Sequence, residues 1–378
     1  MIASNPLSIW LGASVAQTET HVPPPPSAGQ IDVERAIAEI RAGRPVILKD
    51  AESPTVVFGV ECLAAAPADA WKAVARGDAR LILTAPRLRQ LGLDRREPGL
   101  VTLPTIDLAR INALALEVGA RIDAPVAAPS PIHLGALELL CLAHVLPAAL
   151  VIPSTGVSTT RGLLAAALAD VCDYRVARAK SLSIIGRAPV PLDGAPDTEF
   201  VVFRGGEGLR DQVAVIIGKP DYSGPVTVRL HSACLTGDLF GSLKCDCGDQ
   251  LRRTARFMAQ NGGGVLLYID QEGRGNGLSN KIRAYELQAR GYDTYDADAV
   301  LGFDHDQRRF DFAADMLQKL GVARVRVMTN NPFKIAALED AGIDVVSDHR
   351  VIGRKTVHNL RYLASKRDRS GHLLEQDL

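Results

Sequence analysis

From Ile31 onward the chain alternates between helical and extended hydrophobic spacing. Val33, Ala36, Ile37 and Ile40 recur at helical intervals, Gly43 follows as a stop, and Pro45–Leu48 has the length of a strand. APADAWKAVARGD then predicts a helix, ARLILTAP a strand, TIDLARINALALEVGA a helix and APVAAPSP a loop. IHLGALELLCLAHV and AALVIP predict a buried helix and a buried strand, followed by an Ala/Leu-rich helix near Arg161 to Val176. The apolar stretch Leu134 to Pro153 contains Glu138, His144 and Pro147, which argues against a membrane span. SIIGRAPVPLDGAP, rich in Pro and Gly, predicts a domain boundary.

Beyond it, EFVVFRG, QVAVIIG and VTVRLHS predict strands, with KPDYSGP as a turn. A polar helix GDQLRRTARFMAQNGGG, a buried strand VLLYID, a turn QEGRGNG and a helix LSNKIRAYELQARG follow. Helix RRFDFAADMLQKLG leads to a strand ending at Thr329, a helix from Phe333 to Ala341 and the strand IDVVS. The order predicts an α/β (α+β) chain of two domains, each a mixed sheet flanked by helices. The expected division is a mobile arm over 1–30, a first domain over 31–180 and a second over 181–378.

Composition narrows the class. With 378 residues, 47% hydrophobic and 23% charged, the chain can fill two cores. A formal net charge of +0 argues against nucleic-acid binding, which calls for a basic excess, but leaves room for a small anionic substrate. The first residues lack the Lys or Arg of a signal peptide, so a cytoplasmic protein is expected. Of six cysteines, Cys62, Cys141 and Cys172 are scattered in apolar stretches, whereas Cys234, Cys245 and Cys247 cluster. Three thiolates brought together by a strand end and a tight turn suit zinc. Two readings stand: an open site whose fourth position takes water, or a closed structural site with His231 as fourth ligand.

HSACLTGD followed by CDCG resembles the signature of GTP cyclohydrolase II. The likeness continues through Gln271–Gly275, Asn280–Tyr285, Leu301–Phe303, Asp306, Arg308 and Thr329–Pro332, over about residues 180 to 375. It implies hydrolysis of GTP to formate, pyrophosphate and 2,5-diamino-6-ribosylamino-4(3H)-pyrimidinone 5′-phosphate, the first step of riboflavin synthesis. It further implies Zn2+ on Cys234, Cys245 and Cys247, Mg2+ with the triphosphate, and a homodimer. Asp306 is then the proton acceptor and Tyr285 an orienting or proton-transferring hydroxyl. Arg308 is either a nucleophile at the α-phosphorus or, since a guanidinium is almost always protonated, a stabiliser of phosphate charge. The nucleotide contacts implied are Arg229, Leu230, His231, Ser232, Ala233, Gln250, Glu272, Gly273, Arg274, Thr294, Thr329 and Lys334, with Glu272 reading the guanine edge. Two features depart from the family pattern: Ala233 replaces a glutamate common there, and SDHRVIGRKTVHN replaces an acidic-Arg-Val-Pro pattern.

DVERAIAEIRAGRPVILKD resembles the opening of 3,4-dihydroxy-2-butanone 4-phosphate synthase, but that enzyme's acidic, arginine-rich loop is replaced by DAESPTVVFGVE and its second motif by SPIHLGALE. Glu52, Glu61, His133 and Glu138 remain as isolated polar groups, so a degenerate domain that scaffolds or regulates the hydrolase is expected. The alternatives are a bifunctional enzyme, a paralogue with an altered nucleotide substrate, and a non-enzymatic zinc module.

Overall fold

The computed structural model describes residues 25–51, 54–65, 78–154, 162–206, 209–304 and 306–370. Two seven-stranded mixed sheets, one after the other in sequence, organise the chain. In the first, β1 (Val46–Lys49), β2 (Thr55–Gly59), β3 (Arg80–Leu83), β4 (Gly99–Thr102), β5 (Val126–Ala127), β6 (Ala148–Pro153) and β7 (Ala165–Ala167) stand in the order β5-β4-β3-β6-β2-β1-β7. All its neighbours are antiparallel except β1 and β7.

Both faces of this sheet are covered. Val46, Leu48 and Val57 pack beneath the helices Ala28–Arg41, Pro131–Leu142 and Leu168–Lys180. Ile47, Val56 and Phe58 alternate to the other face, beneath Ala85–Gln90 and Leu108–Leu116. Double coverage explains why these strands read as continuous apolar runs.

The second sheet contains β8 (Ser183–Pro189), β9 (Thr198–Arg204), β10 (Gln212–Ile217), β11 (Val226–Ser232), β12 (Gly264–Ile269), β13 (Arg324–Met328) and β14 (Asp344–His349), ordered β14-β13-β11-β12-β10-β9-β8. β11 runs parallel to both β12 and β13, and β13 parallel to β14, whereas β8, β9 and β10 form an antiparallel flank. The C-terminal ends of β11, β12 and β13 therefore open on the same edge, where ligands bind in open α/β sheets.

Several expectations are corrected. The Ala/Leu-rich segment is not one helix: Ala165–Ala167 adds β7 beside β1, and the helix runs from Leu168 to Lys180. SIIGRAPVPLDGAP is not simply a linker, because Ser183–Pro189 is the edge strand β8, where Pro and Gly cost the sheet least. The expected loop APVAAPSP contributes the short β5, and the helix expected to reach Ala120 ends at Leu116. The first helix begins at Ala28, capped by Ser27, inside the expected arm; the arm up to residue 24 and most of APADAWKAVARGD lie outside the described residues.

Candidate active site

The three cysteines meet because two segments end side by side. β11 runs out at Ser232 and delivers Cys234, while Cys245 and Cys247 lie at the start of helix Cys247–Gln260. Their sulfurs lie within 4.8 Å of one another, with Cys234 and Cys245 at 3.6 Å. Gly237 makes this possible: a Cβ there would stand 2.7 Å from the Cys245 sulfur. Hydrogen bonds from Cys245 and Cys247, with the ammonium of Lys281, pull the Cys234 thiol far below its ordinary value. Cys245 and Cys247, which donate to it, are pushed up. Lys281 Nζ lies 3.1 Å from Cys234 Sγ and 2.7 Å from Glu272 Oε1. A soft, closely spaced donor set with one sulfur held as thiolate fits zinc.

His231 does not join the cluster. Its Nε2 lies 3.0 Å from Asp238, its ring stacks on Tyr268 at 5.6 Å, and among the described residues the metal-type group is the three cysteines. Among the described residues, His231 thus stands outside the group that could hold a metal, against its place as fourth ligand in the closed reading. Burial lowers the His231 pKa, leaving a neutral ring whose Nδ1 is buried without a partner.

Every expected site residue except Leu230 lines one cleft. The Leu230 side chain belongs to the core, and its carbonyl accepts a 2.7 Å hydrogen bond from Lys334. Arg308 donates from Nε to Asp306 at 2.8 Å, pairs with it again through its terminal nitrogen, and reaches Ser232 Oγ at 3.3 Å. Burial works against both charges, but each outweighs it for the other: the Asp306 carboxyl falls to about 2 and Arg308 is raised. Ser232 also donates to Gln271 at 3.4 Å. Ala233, next along, presents a methyl group to the cleft and gives its N–H to Ile269 at 2.8 Å. Tyr285 lies under Lys281 and Lys244, its hydroxyl pushed up to about 12 by burial.

Positive charge is concentrated in the same cleft as the sulfurs. Arg229 donates to Met328 O at 2.8 Å and to Gln250, which in turn donates to Asp246 at 2.6 Å; burial lowers Arg229 to about 10. Lys334 is 5% exposed, and burial together with the Arg308 and Arg229 cations drives its pKa well down. Arg274 pairs with Asp298, stacks 4.6 Å from the Tyr295 ring, and reaches the Thr294 carbonyl. The expected turn is formed by Gly273 and Arg274, both left-handed at φ 62° and 61°. Glu272 accepts from the Leu235 N–H at 2.6 Å and from Lys281, so its oxygens already have partners. Thr329 is buried, its hydroxyl accepting from the Asn331 N–H at 3.0 Å.

The sequence reading gave no site role to Lys281, Asn330 and Asn331, which it named only within matched motifs, and did not single out Asp298, Tyr295 or the helix Leu360–Ser370, which brings Tyr362 and Lys366 to the cleft. Lys281 sits three residues before Ala284 and four before Tyr285, a helical spacing that could have placed it beside the tyrosine. Tyr362 and Lys366 share that spacing, with the ammonium 4.2 Å over the ring.

Sulfur ligands, a carboxylate–arginine pair and buried cations around one cleft are the equipment of a hydrolase acting on an anionic substrate. The family model of GTP cyclohydrolase II matches residues 184–350. The GTP cyclohydrolase-2 of Xylella fastidiosa (strain Temecula1) is 44% identical over 368 residues, covering 95% of this chain and 92% of that protein. The one from Azospirillum brasilense is 39% identical over 361 residues, covering 90% and 93%. That of Acinetobacter baumannii (strain AYE) is 52% identical over 155 residues, or 41% of this chain and 78% of that one. Among solved structures, the two-domain 3,4-dihydroxy-2-butanone 4-phosphate synthase RibBX of A. baumannii aligns over 85% of this chain and 99% of its own, with 19% identity and a TM-score of 0.31. That last likeness is too weak to bear on function. The chain belongs to the GTP cyclohydrolase II family, and its activity is that of a GTP cyclohydrolase II.

Proposed function

We propose that this enzyme hydrolyses GTP to formate, pyrophosphate and 2,5-diamino-6-ribosylamino-4(3H)-pyrimidinone 5′-phosphate, using zinc held by Cys234, Cys245 and Cys247, as the first step of riboflavin synthesis. The observation that carries the reading is the meeting of the three sulfurs with the Asp306–Arg308 pair in one cleft. Zinc held by these sulfurs would supply Lewis-acid activation of water at guanine carbon 8.

The chain's own groups divide the remaining work. Lys281 offsets the negative charge of the sulfurs and holds Glu272. Arg229, Arg274 and Lys334 offer buried charge to the triphosphate, whose entry relieves the mutual repulsion of Lys334, Arg229 and Arg308. Mg2+ accompanies the triphosphate, and Gln250, Thr294 and Thr329 complete the nucleotide contacts. With both oxygens bound to Arg308, Asp306 is a weak base. Phosphate that draws Arg308 away raises the basicity of Asp306, coupling substrate arrival to proton acceptance. A guanidinium in such a pair stays protonated, which favours phosphate stabilisation over nucleophilic attack for Arg308. The proposal includes a homodimer, as the family resemblance implies, working in the cytoplasm.

The test incubates zinc-loaded protein with GTP and Mg2+ and follows formate and pyrophosphate together. Both products should form at equal rates, and Cys245→Ser should abolish both with loss of zinc. Neither product from folded, zinc-bound protein would overturn the reading.

A further inference from the structure

Glu61 looks solitary in the sequence, yet it lies at a junction between the two sheet systems. It stands in the short 3-10 helix after β2 and accepts from the Leu146 N–H at 3.2 Å and from Arg283 at 2.7 Å. Arg283 also donates to Asn280 Oδ1 at 2.7 Å, and Asn280 donates to the carbonyl of His144 at 3.2 Å. Arg283 and Asn280 belong to helix Leu278–Ala289, which also carries Lys281 and Tyr285 into the cleft. One helix thus faces the sulfur cluster on one side and the N-terminal half on the other.

A second grip lies further along. Thr84 donates to the Gly302 carbonyl at 2.6 Å. Arg87 donates to the carbonyls of Ala113, Leu114 and Glu117 within its own half and to that of Val300 across the junction at 3.1 Å. Val300 ends helix Thr294–Val300, whose Asp298 holds Arg274, and Gly302 stands four residues before Asp306. Between the grips, Leu116, Val118 and Leu146 pack against Leu287, Leu301 and Phe303.

We propose that the N-terminal half braces the catalytic cleft, with Glu61, Thr84 and Arg87 as positioning residues for GTP hydrolysis. None of the three lines the cleft; each holds an element that supplies cleft residues. Displacement of reacting groups by an ångström is enough to cost a large part of a rate, so the connection should appear in kcat. The inference rests on the reaction proposed above.

The experiment uses the full chain, zinc-loaded, as wild type, Glu61→Gln, Thr84→Val and Asp123→Asn, the last an exposed control. Formate release gives kcat and KM for GTP, and amide hydrogen exchange reports on residues 278–289 and 300–304. Glu61→Gln should lower kcat about tenfold and Thr84→Val about threefold, with KM within about twofold of wild type and zinc content unchanged. Exchange should quicken in residues 278–289 for the first and 300–304 for the second, leaving the rest of the chain protected. Glu61→Asp should recover part of the rate. Wild-type kcat in both variants would overturn the inference, and so would losses accompanied by faster exchange throughout the chain. If the wild type itself released no formate, the reaction proposed above would fall, and the exchange profile would decide the brace: local quickening supports it, an unchanged profile removes it.

Discussion

Each half of the molecule buries an arginine, and the two are treated differently. Arg87, in the N-terminal half, is 2% exposed and donates to four backbone carbonyls. Arg229, on β11, is 6% exposed, donates to Met328 and Gln250, and leaves Nε without a partner. Burial pushes both guanidinium groups down to about 10. The contrast extends beyond these two: among the described residues, the unpartnered buried side-chain atoms are those of Arg229, His231, Asp246, Thr254 and Asn276, all in the C-terminal half, and four of these residues line the cleft. In the N-terminal half, Glu138 pairs with Arg175 at 2.6 Å, His133 caps its helix through Ser130 and Glu61 pairs with Arg283, while Glu52 lies outside the described residues. A buried polar group satisfied by its own chain holds structure; one left short of partners at a cleft is available to water or a ligand.

The largest effect that would sharpen this comparison is at Arg308. Arg308→Lys keeps a cation but loses the forked pairing with Asp306, and should lower kcat about a hundredfold. Formate and pyrophosphate should fall together if Arg308 stabilises phosphate charge. Formate that continues while pyrophosphate disappears would return the arginine to the role of nucleophile.

Next come the two arginines themselves. Arg87→Met strands four carbonyls and should cost about 3 kcal/mol of stability, read by chemical denaturation, with KM for GTP near the wild-type value. Arg229→Met strands fewer acceptors, so it should cost about 1 kcal/mol and raise KM for GTP about thirtyfold. Equal stability losses with equal KM values would erase the distinction between the halves.

The smallest effect concerns pH. Burial, opposed by Arg274, raises the Asp298 carboxyl to about 6. Because its native pKa exceeds that of an exposed carboxylate, this residue favours the fold below about pH 4, a contribution lost as pH rises through about 6. Binding should run the opposite way: protonation below about pH 6 weakens the hold on Arg274, so KM for GTP should rise about threefold between about pH 7 and about pH 5. Asp298→Asn should flatten that dependence. An unchanged slope in the variant would show that another group sets it.

How much of this was legible depended on how local the cause was. The sulfur triad is encoded within a short stretch by a strand end, a glycine and a helix start, so spacing alone disclosed it. Asp306 and Arg308 entered through the family resemblance, and their ion pair is visible only in the fold. β7 was hidden because Ala165–Ala167 lacks the β-branched side chains that mark a strand, and its partner β1 is distant in sequence. β8 was masked by its proline and glycine, which an edge position tolerates. The helix Leu360–Ser370, which lines the cleft, is strongly polar, and its place beside the site follows from tertiary packing. That His231 is held by Asp238 rather than standing among the sulfurs is a contact no spacing rule could supply.

Gly277 carries a consequence for how such a chain is inherited. A side chain there would strike His144, whose Cβ would lie 2.7 Å from the added carbon. A substitution on one side of this seam therefore limits what the other side can carry. Severing the chain between the sheets would also uncover Leu287, Leu301 and Phe303, an apolar patch of the kind that draws proteins into aggregates. The N-terminal half thus covers an apolar surface of its neighbour as well as gripping the elements around the cleft.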